Sequence, residues 1–316
     1  MSATIEIGND EINALRQRCR ELKSDALSYS AMAREAGIGE STFNLWLNEN
    51  YTGDYAKVAE KVRRWLDSRL EGERARSMLP KAPGFVETPT VAKITALLSY
   101  AHHVPTLGVI SGGAGIGKTI AVRRYAENNP NVWVLTGEPS QRTPNALLSY
   151  LAEVLGMTER TGRRSRMIID RLRGIGALLI VDEAHHYPTK VLDQLRSIYD
   201  QAECGLALLG NAGIYKRLEG EGRTDRFAPL FRRIGMRLTL PRPQTGDIAA
   251  LVAAWGIEGE AERRVLEKIG MRAGALGGMT MTLRMAHMLA GAGPVTAEHL
   301  KRAYRQLNEV TLEASV

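Results

Sequence analysis

The sequence predicts an α/β protein: a P-loop core on a five-stranded parallel sheet with helices on both faces, preceded by an all-α helix-turn-helix domain and followed by a helical lid. Three observations carry that prediction. Residues Gly112-Gly113-Ala114-Gly115-Ile116-Gly117-Lys118-Thr119 match G-x-x-x-x-G-K-[ST] directly after the apolar run Leu107-Gly108-Val109-Ile110. A second apolar run, Ala177 to Val181, ends in the adjacent carboxylates Asp182 and Glu183. Strand-like and helix-like segments alternate as far as Leu240, whereas residues 245 to 310 show helical periodicity alone.

In chain order, the first element is the helical segment that reaches Leu70. In Tyr29 to Trp46, Ala33 allows two helices to cross closely and Gly37 suits the turn between them, while Ile38, Phe43 and Trp46 lock the second helix onto the first. That second helix presents Ser41, Thr42, Asn44 and Asn48, small polar side chains that can donate to phosphates or base edges. A further helix, Tyr55 to Leu70, completes the bundle through Val58, Val62, Trp65 and Leu66. Residues 1–70 carry ten basic and eleven acidic side chains, and Arg34 is the only strong cation near the turn in sequence. Contact with DNA and docking of protein therefore both stay open for this domain.

Residues 71–84 have the charged, Pro-containing composition of a linker. The nucleotide-binding core is expected over 85–243 and the lid over 244–316. Thr88 and Pro89 mark the start of a helix ending near His102, and Phe85 and Val86 just ahead of it suit the covering of a nucleotide base. The remaining strands are read at Val132 to Leu135, Gly205 to Gly210 and Met236 to Leu240, with a helix from Pro144 to Leu155. The lid helices are read at Thr245 to Trp255, Glu260 to Ile269, Thr280 to Leu289 and Thr296 to Leu307, with Thr245 and Thr296 as N-caps.

The chemistry expected of these residues is that of an ATP and Mg²⁺ site. Gly112 to Gly117 let consecutive backbone N–H groups wrap a phosphate, Lys118 reaches the β- and γ-phosphates, and Thr119 and Asp182 hold Mg²⁺. Glu183 orients and deprotonates the attacking water. His185 and His186 are not expected to bind metal, since adjacent side chains at a helix start diverge and no third ligand is near in sequence. Asn211 either positions the lytic water and senses the γ-phosphate or caps the end of its strand. Arg233, with Arg232 and Arg226 as alternatives, either reaches a neighbouring subunit as an arginine finger or pairs within its own chain.

Charge and cysteine usage constrain the partners. The net charge is +7 and the pI about 9.5, and the basic surplus lies entirely downstream of residue 70. Six arginines against one acid fall between Arg160 and Arg173, so Arg163, Arg164 and Arg166 form either a phosphate-tracking surface or a solvated helix face. Cys19 and Cys204 are isolated, which argues against a disulfide framework and for a reducing compartment. No stretch approaches the roughly 18 apolar residues of a membrane span. A cytoplasmic location without membrane contact is expected.

The P-loop, the Asp182-Glu183 strand end, the polar Asn211, the basic stretch before the fifth strand and the helical lid together resemble the AAA+ ATPases. One position departs from that pattern: Gly277 stands where AAA+ lids usually carry an arginine as second sensor, and Arg284 further along the helix is a substitute. The domain order, Phe85 to Val91, Leu179 to Ala184, Leu208 to Asn211 and Gly274-Ala275-Leu276 further resemble the Mu B family of phage transposition proteins. That resemblance implies an ATP-dependent, largely non-specific DNA-binding protein that assembles as a helical homo-oligomer on duplex DNA. It also implies delivery of target DNA to a transposase, stimulation of strand transfer, and release on ATP hydrolysis. An ATP-switched transcription regulator and a helicase-loader-like ATPase are the alternatives.

Overall fold

Contacts divide the chain into two units, Met1–Pro80 and Lys81–Val316. The computed structural model describes residues 8–24, 27–78, 82–157, 163–214, 233–291 and 293–308. In the first unit, helices α1 (Asn9–Glu21), α2 (Tyr29–Glu35), α3 (Glu40–Leu47) and α4 (Tyr55–Met78) enclose a core that includes Met32, Ile38, Phe43, Trp46 and Val62. Ser28 caps α2 by accepting from Ala31 N, and the chain passes into α3 through Gly37 at φ 64°. Residues 71–78, read as linker from their composition, instead continue α4. Glu, Arg, Ala and Met there are strong helix formers, and the Arg69 to Glu73 ion pair at 3.3 Å supports the extension one turn on.

In the second unit, β1 (Leu107–Gly112), β2 (Val132–Thr136), β3 (Leu178–Asp182), β4 (Gly205–Gly210) and β5 (Ile234–Leu240) form one sheet in the order β2-β3-β4-β1-β5. All four neighbouring pairs are parallel. β1, β3 and β4 are buried along their whole length, as expected of parallel strands covered on both faces. Alternate residues divide between the two layers. Val109, Leu179, Val181 and Leu208 pack with α7 (Pro144–Val154), α8 (Arg164–Leu172) and α9 (Thr189–Ala202). Ile110, Ile180 and Leu209 pack with α5 (Pro89–His103) and α6 (Lys118–Asn128). This arrangement brings Gly112, Asp182 and Gly210 to the same carboxyl edge, where open parallel sheets bind ligands.

Four more helices follow: α10 (Thr245–Ala254), α11 (Glu260–Gly270), α12 (Ala275–Ala290) and α13 (Ala297–Asn308), around a core of Ile248, Leu266, Met279, Leu283 and Leu300. Two details differ from the sequence reading. Gln244 rather than Thr245 caps α10, through a capping box with Asp247. α12 begins at Ala275, five residues ahead of Thr280, because packing overrides the low helix propensity of Gly277 and Gly278.

Asp247 ties these helices to the sheet domain. Its carboxylate is fully buried and accepts from Thr90 N at 2.7 Å, Thr90 Oγ1 at 2.6 Å and Gln244 N at 2.6 Å, so it serves the first turns of both α5 and α10. Removing it leaves three buried donors without that acceptor. Asp247→Ala is expected to destabilise the second unit by about 3 kcal/mol, measured from the denaturant midpoint of unfolding.

Candidate nucleotide-binding site

From the end of β1 the chain turns through Gly113 to Gly117 and enters α6 at Lys118, so the loop lies at the N-terminus of a helix. Gly113 N donates to Leu240 O at 3.1 Å and anchors the start of the loop to β5. Lys118 is 8% exposed, and its Nζ donates to Gly112 O at 2.9 Å and Gly113 O at 2.7 Å. Burial lowers its pKa, while the nearby carboxylates of Glu183 and then Asp182 act in the opposite direction. The ammonium is thus poised against the loop it would share with a phosphate.

Thr119 Oγ1 donates to Asp182 Oδ2 at 2.7 Å, and Asp182, 3% exposed, also accepts Glu183 N at 2.9 Å. Two oxygen donors brought together beside a phosphate cradle fit a hard divalent cation, so Thr119 and Asp182 are the residues that would hold Mg²⁺. The P-loop borders a cavity of about 440 Å³ whose apolar end is formed by Phe85, Val86 and Trp255. The Arg124 guanidinium lies 5.2 Å from the centre of the Phe85 ring. Trp255 and Thr280 escaped the sequence reading; the spacing of Gly277, Thr280 and Arg284 along one helical face is the signal that could have found the second of them.

The start of α12 sits on the loop itself. Gly277 N donates to Gly115 O at 3.2 Å, and a Cβ on Gly115, whose φ is 74°, would overlap Gly274 O. Gly277 therefore serves the site through its backbone. Thr280 and Arg284 of α12 also line the cavity, Arg284 two turns beyond Gly277.

Glu183 also lines the cavity, and its backbone at φ 54° turns the chain from β3 into the short 3-10 helix Ala184–His186. Glu183 Oε2 lies 3.2 Å from His185 Nδ1, and the rings of His185 and His186 are 4.2 Å apart. Donor atoms of Glu183, His185 and His186 all fall within 4.8 Å of one another. The expectation that the histidines diverge is thereby corrected: a left-handed residue followed by a tight turn aims both rings to one side.

Two further candidates have partners within the chain. Asn211 Oδ1 accepts Gly213 N at 2.8 Å and closes the turn after β4, while its backbone oxygen accepts Ser111 Oγ at 3.3 Å. Arg233 Nε donates to Asp200 Oδ1 at 2.7 Å, so this guanidinium pairs within its own chain. Arg226 and Arg232 lie outside the described residues, as does Arg160.

The remaining basic candidates fall at the start of α8 and on the first unit. Arg163 is exposed; Arg164 Nη1 donates to Ser149 Oγ at 2.7 Å; Arg166 pairs with Asp170 at 3.4 Å and is 71% exposed. In the first unit Ser41 is exposed and Thr42 and Asn44 are half-buried. Arg34 is not alone near the α2 to α3 turn. Lys61 on α4 donates to Gly37 O at 3.1 Å, and Lys57 and Lys61 border the same depression as Thr42.

Residues 101–218 match the AAA domain family, and residues 232–307 match the family described as Mu B transposition protein, C terminal. Over 303 residues the chain is 36% identical to the ATP-dependent target DNA activator B of Escherichia phage Mu, covering 94% of this chain and 96% of that protein. It is 33% identical over 276 residues to the Mu-like prophage FluMu DNA transposition protein B of Haemophilus influenzae, covering 86% and 94%. Among solved structures it is similar to the RuvB Holliday junction branch migration motor of Thermotoga maritima, with a TM-score of 0.47, 18% identity and 73% of each chain covered. With near-complete coverage of a relative at that identity, the chain belongs to the family of the phage Mu ATP-dependent target DNA activator B.

Proposed function

We propose that the chain is an ATP-hydrolysing, largely non-specific DNA-binding protein that assembles as a filament on duplex DNA, delivers it to a transposase and stimulates strand transfer. Its N-terminal unit is read as a helix-turn-helix domain, and residues 244–316 as a lid over the nucleotide. The observation that carries the proposal is the Gly115 to Gly277 contact, which joins the phosphate loop to the lid inside the nucleotide cavity. A change at the phosphates is then felt by a helical domain, and in an oligomer each small coupling is multiplied along the DNA.

In this reading ATP lies with its phosphates on Gly112 to Thr119 and its base against Phe85, Val86 and Trp255. Bound Mg²⁺ supplies charge neutralisation at the phosphates. Glu183 accepts the proton of the attacking water, and Asn211 orders the carboxyl edge beside it. With Arg233 held by Asp200, Arg226 and Arg232 become the first candidates for a residue supplied in trans.

The DNA path is placed at Arg163, Arg164 and Arg166, with Ser41, Thr42, Asn44, Lys57 and Lys61 as contacts from the first unit. Cations in the first turn of α8 oppose the helix dipole, an arrangement that folding does not favour and an anionic partner does. The exposed Arg166 to Asp170 pair is worth at most about 1 kcal/mol, so exchange for a phosphate costs little.

Electron microscopy of the chain with ATP and duplex DNA is expected to show filaments that are absent with ADP; unassembled protein under both conditions contradicts the proposal. Lys118→Ala should abolish nucleotide-dependent assembly on DNA, read by sedimentation. Glu183→Gln should retain ATP yet turn it over at least about 100-fold more slowly, leaving filaments that persist. Replacing Arg163, Arg164 and Arg166 together with alanine should reduce the slope of log affinity against log salt by about 2 to 3, and an unchanged slope moves the DNA path elsewhere.

A further inference from the structure

We infer that Gly137 is a positioning residue for hydrolysis: bare of a side chain, it lets the Glu183 carbonyl lie against it and so keeps Glu183 in the backbone conformation that places its side chain at the nucleotide cavity. The inference rests on the reading of Glu183 as the base and adds the residue that fixes its main chain. Glu183 has φ 54° and ψ 33°, a left-handed conformation that residues with side chains seldom adopt and that persists only where the surroundings impose it. That conformation sets the direction in which the side chain leaves the chain. Rate depends on it, because proton transfer requires the base within hydrogen-bond reach of the water.

Three contacts impose it. The Glu183 N–H donates to Asp182 Oδ1 at 2.9 Å, and the Glu183 carbonyl accepts His186 N at 3.0 Å. The third comes from the first residue beyond β2. Thr136 pairs with Asp182 in the ladder between β2 and β3, and Gly137 N extends that pairing by donating to Asp182 O at 2.8 Å. Gly137 is thereby brought so close that an added Cβ would stand 2.6 Å from Glu183 O and 3.2 Å from the carbonyl carbon. Both are main-chain atoms, so neither can move aside by a change of rotamer. The φ of Gly137 lies outside the left-handed region, and a side chain is excluded there by Glu183 alone.

The loop that follows Gly137 is fastened to the same segment a second time. Gln141 Oε1 accepts the Tyr187 hydroxyl at 2.7 Å, and Tyr187, fully buried, ends the short helix that Glu183 begins. The turn at Glu183 thus lies between two ties, one at Gly137 and one at Gln141. A strained residue held from both sides keeps one geometry, as a positioned base must. Gly137 stands behind Glu183, outside the lining of the nucleotide cavity, and acts through it.

The test uses Gly137→Ala in the full chain, alone and combined with Glu183→Gln, measuring single-turnover ATP hydrolysis and affinity for a non-hydrolysable ATP analogue. Gly137→Ala is expected to lower the rate about tenfold with analogue affinity unchanged within about twofold. In the Glu183→Gln background the same substitution should cost less than about twofold, because its effect passes through the carboxylate already removed. The inference is overturned if Gly137→Ala hydrolyses ATP like the parent protein, if its loss is equally large without the Glu183 carboxylate, or if analogue affinity falls as far as the rate. Should Gly137→Ala fail to fold, Gln141→Ala, which releases the other tie from the surface, is read by the same three criteria. Glu183→Gln alone separates the two levels. If it is slow while Gly137→Ala is normal, only the role of Gly137 falls; if it hydrolyses ATP normally, the reading of Glu183 as base falls and takes this inference with it.

Discussion

The site depends on a place where no side chain fits. Gly115 lies in the phosphate loop with a left-handed backbone, and the carbonyl of Gly274 fills the volume that a Cβ would occupy. The same residue accepts the N–H of Gly277. The loop and the start of α12 therefore meet backbone to backbone. A contact of this kind transmits displacement directly, since neither partner can yield by changing rotamer. At position 277 the main chain faces the loop, and Arg284 lines the cavity further along the same helix.

Asp247 supplies the second attachment. By accepting from the first turns of α5 and α10, it joins the C-terminal helices to the segment that begins just after Phe85 and Val86. The nucleotide cavity is thus enclosed by elements fastened at both of its ends, the phosphate end through glycines and the base end through a buried carboxylate. Between them, Asp182 ends the fully buried strand β3, Glu183 follows it directly, and Thr119 lies in the first turn of α6, which gives the chemistry a rigid base.

Much of this was legible in the residues because the signals were local. The P-loop spacing, the apolar run into Asp182 and Glu183 and the cap at Thr88 each declare themselves within ten residues, and β1, β3 and β4 followed from apolar runs alone. What escaped were contacts set by the fold. The approach of Gly274 and Gly277 to Gly115 joins segments some 160 positions apart, and Gly277 and Gly278 lower helix propensity enough to hide the first turn of α12. Asp247 reads as an ordinary first-turn acid until Thr90 is brought to it. The same limit applied to the partners of Arg233 and Asn211, which are Asp200 and Gly213. Adjacent histidines converge at His185 and His186 because Glu183 takes a left-handed conformation that composition does not announce.

The central claim is that the nucleotide held between loop and lid governs the hold on DNA. The most direct measurement is the affinity of the full chain for one duplex at one salt concentration, determined with a non-hydrolysable ATP analogue and again with ADP. The account predicts binding at least about tenfold tighter with the ATP analogue. Equal affinities in the two nucleotide states would contradict it.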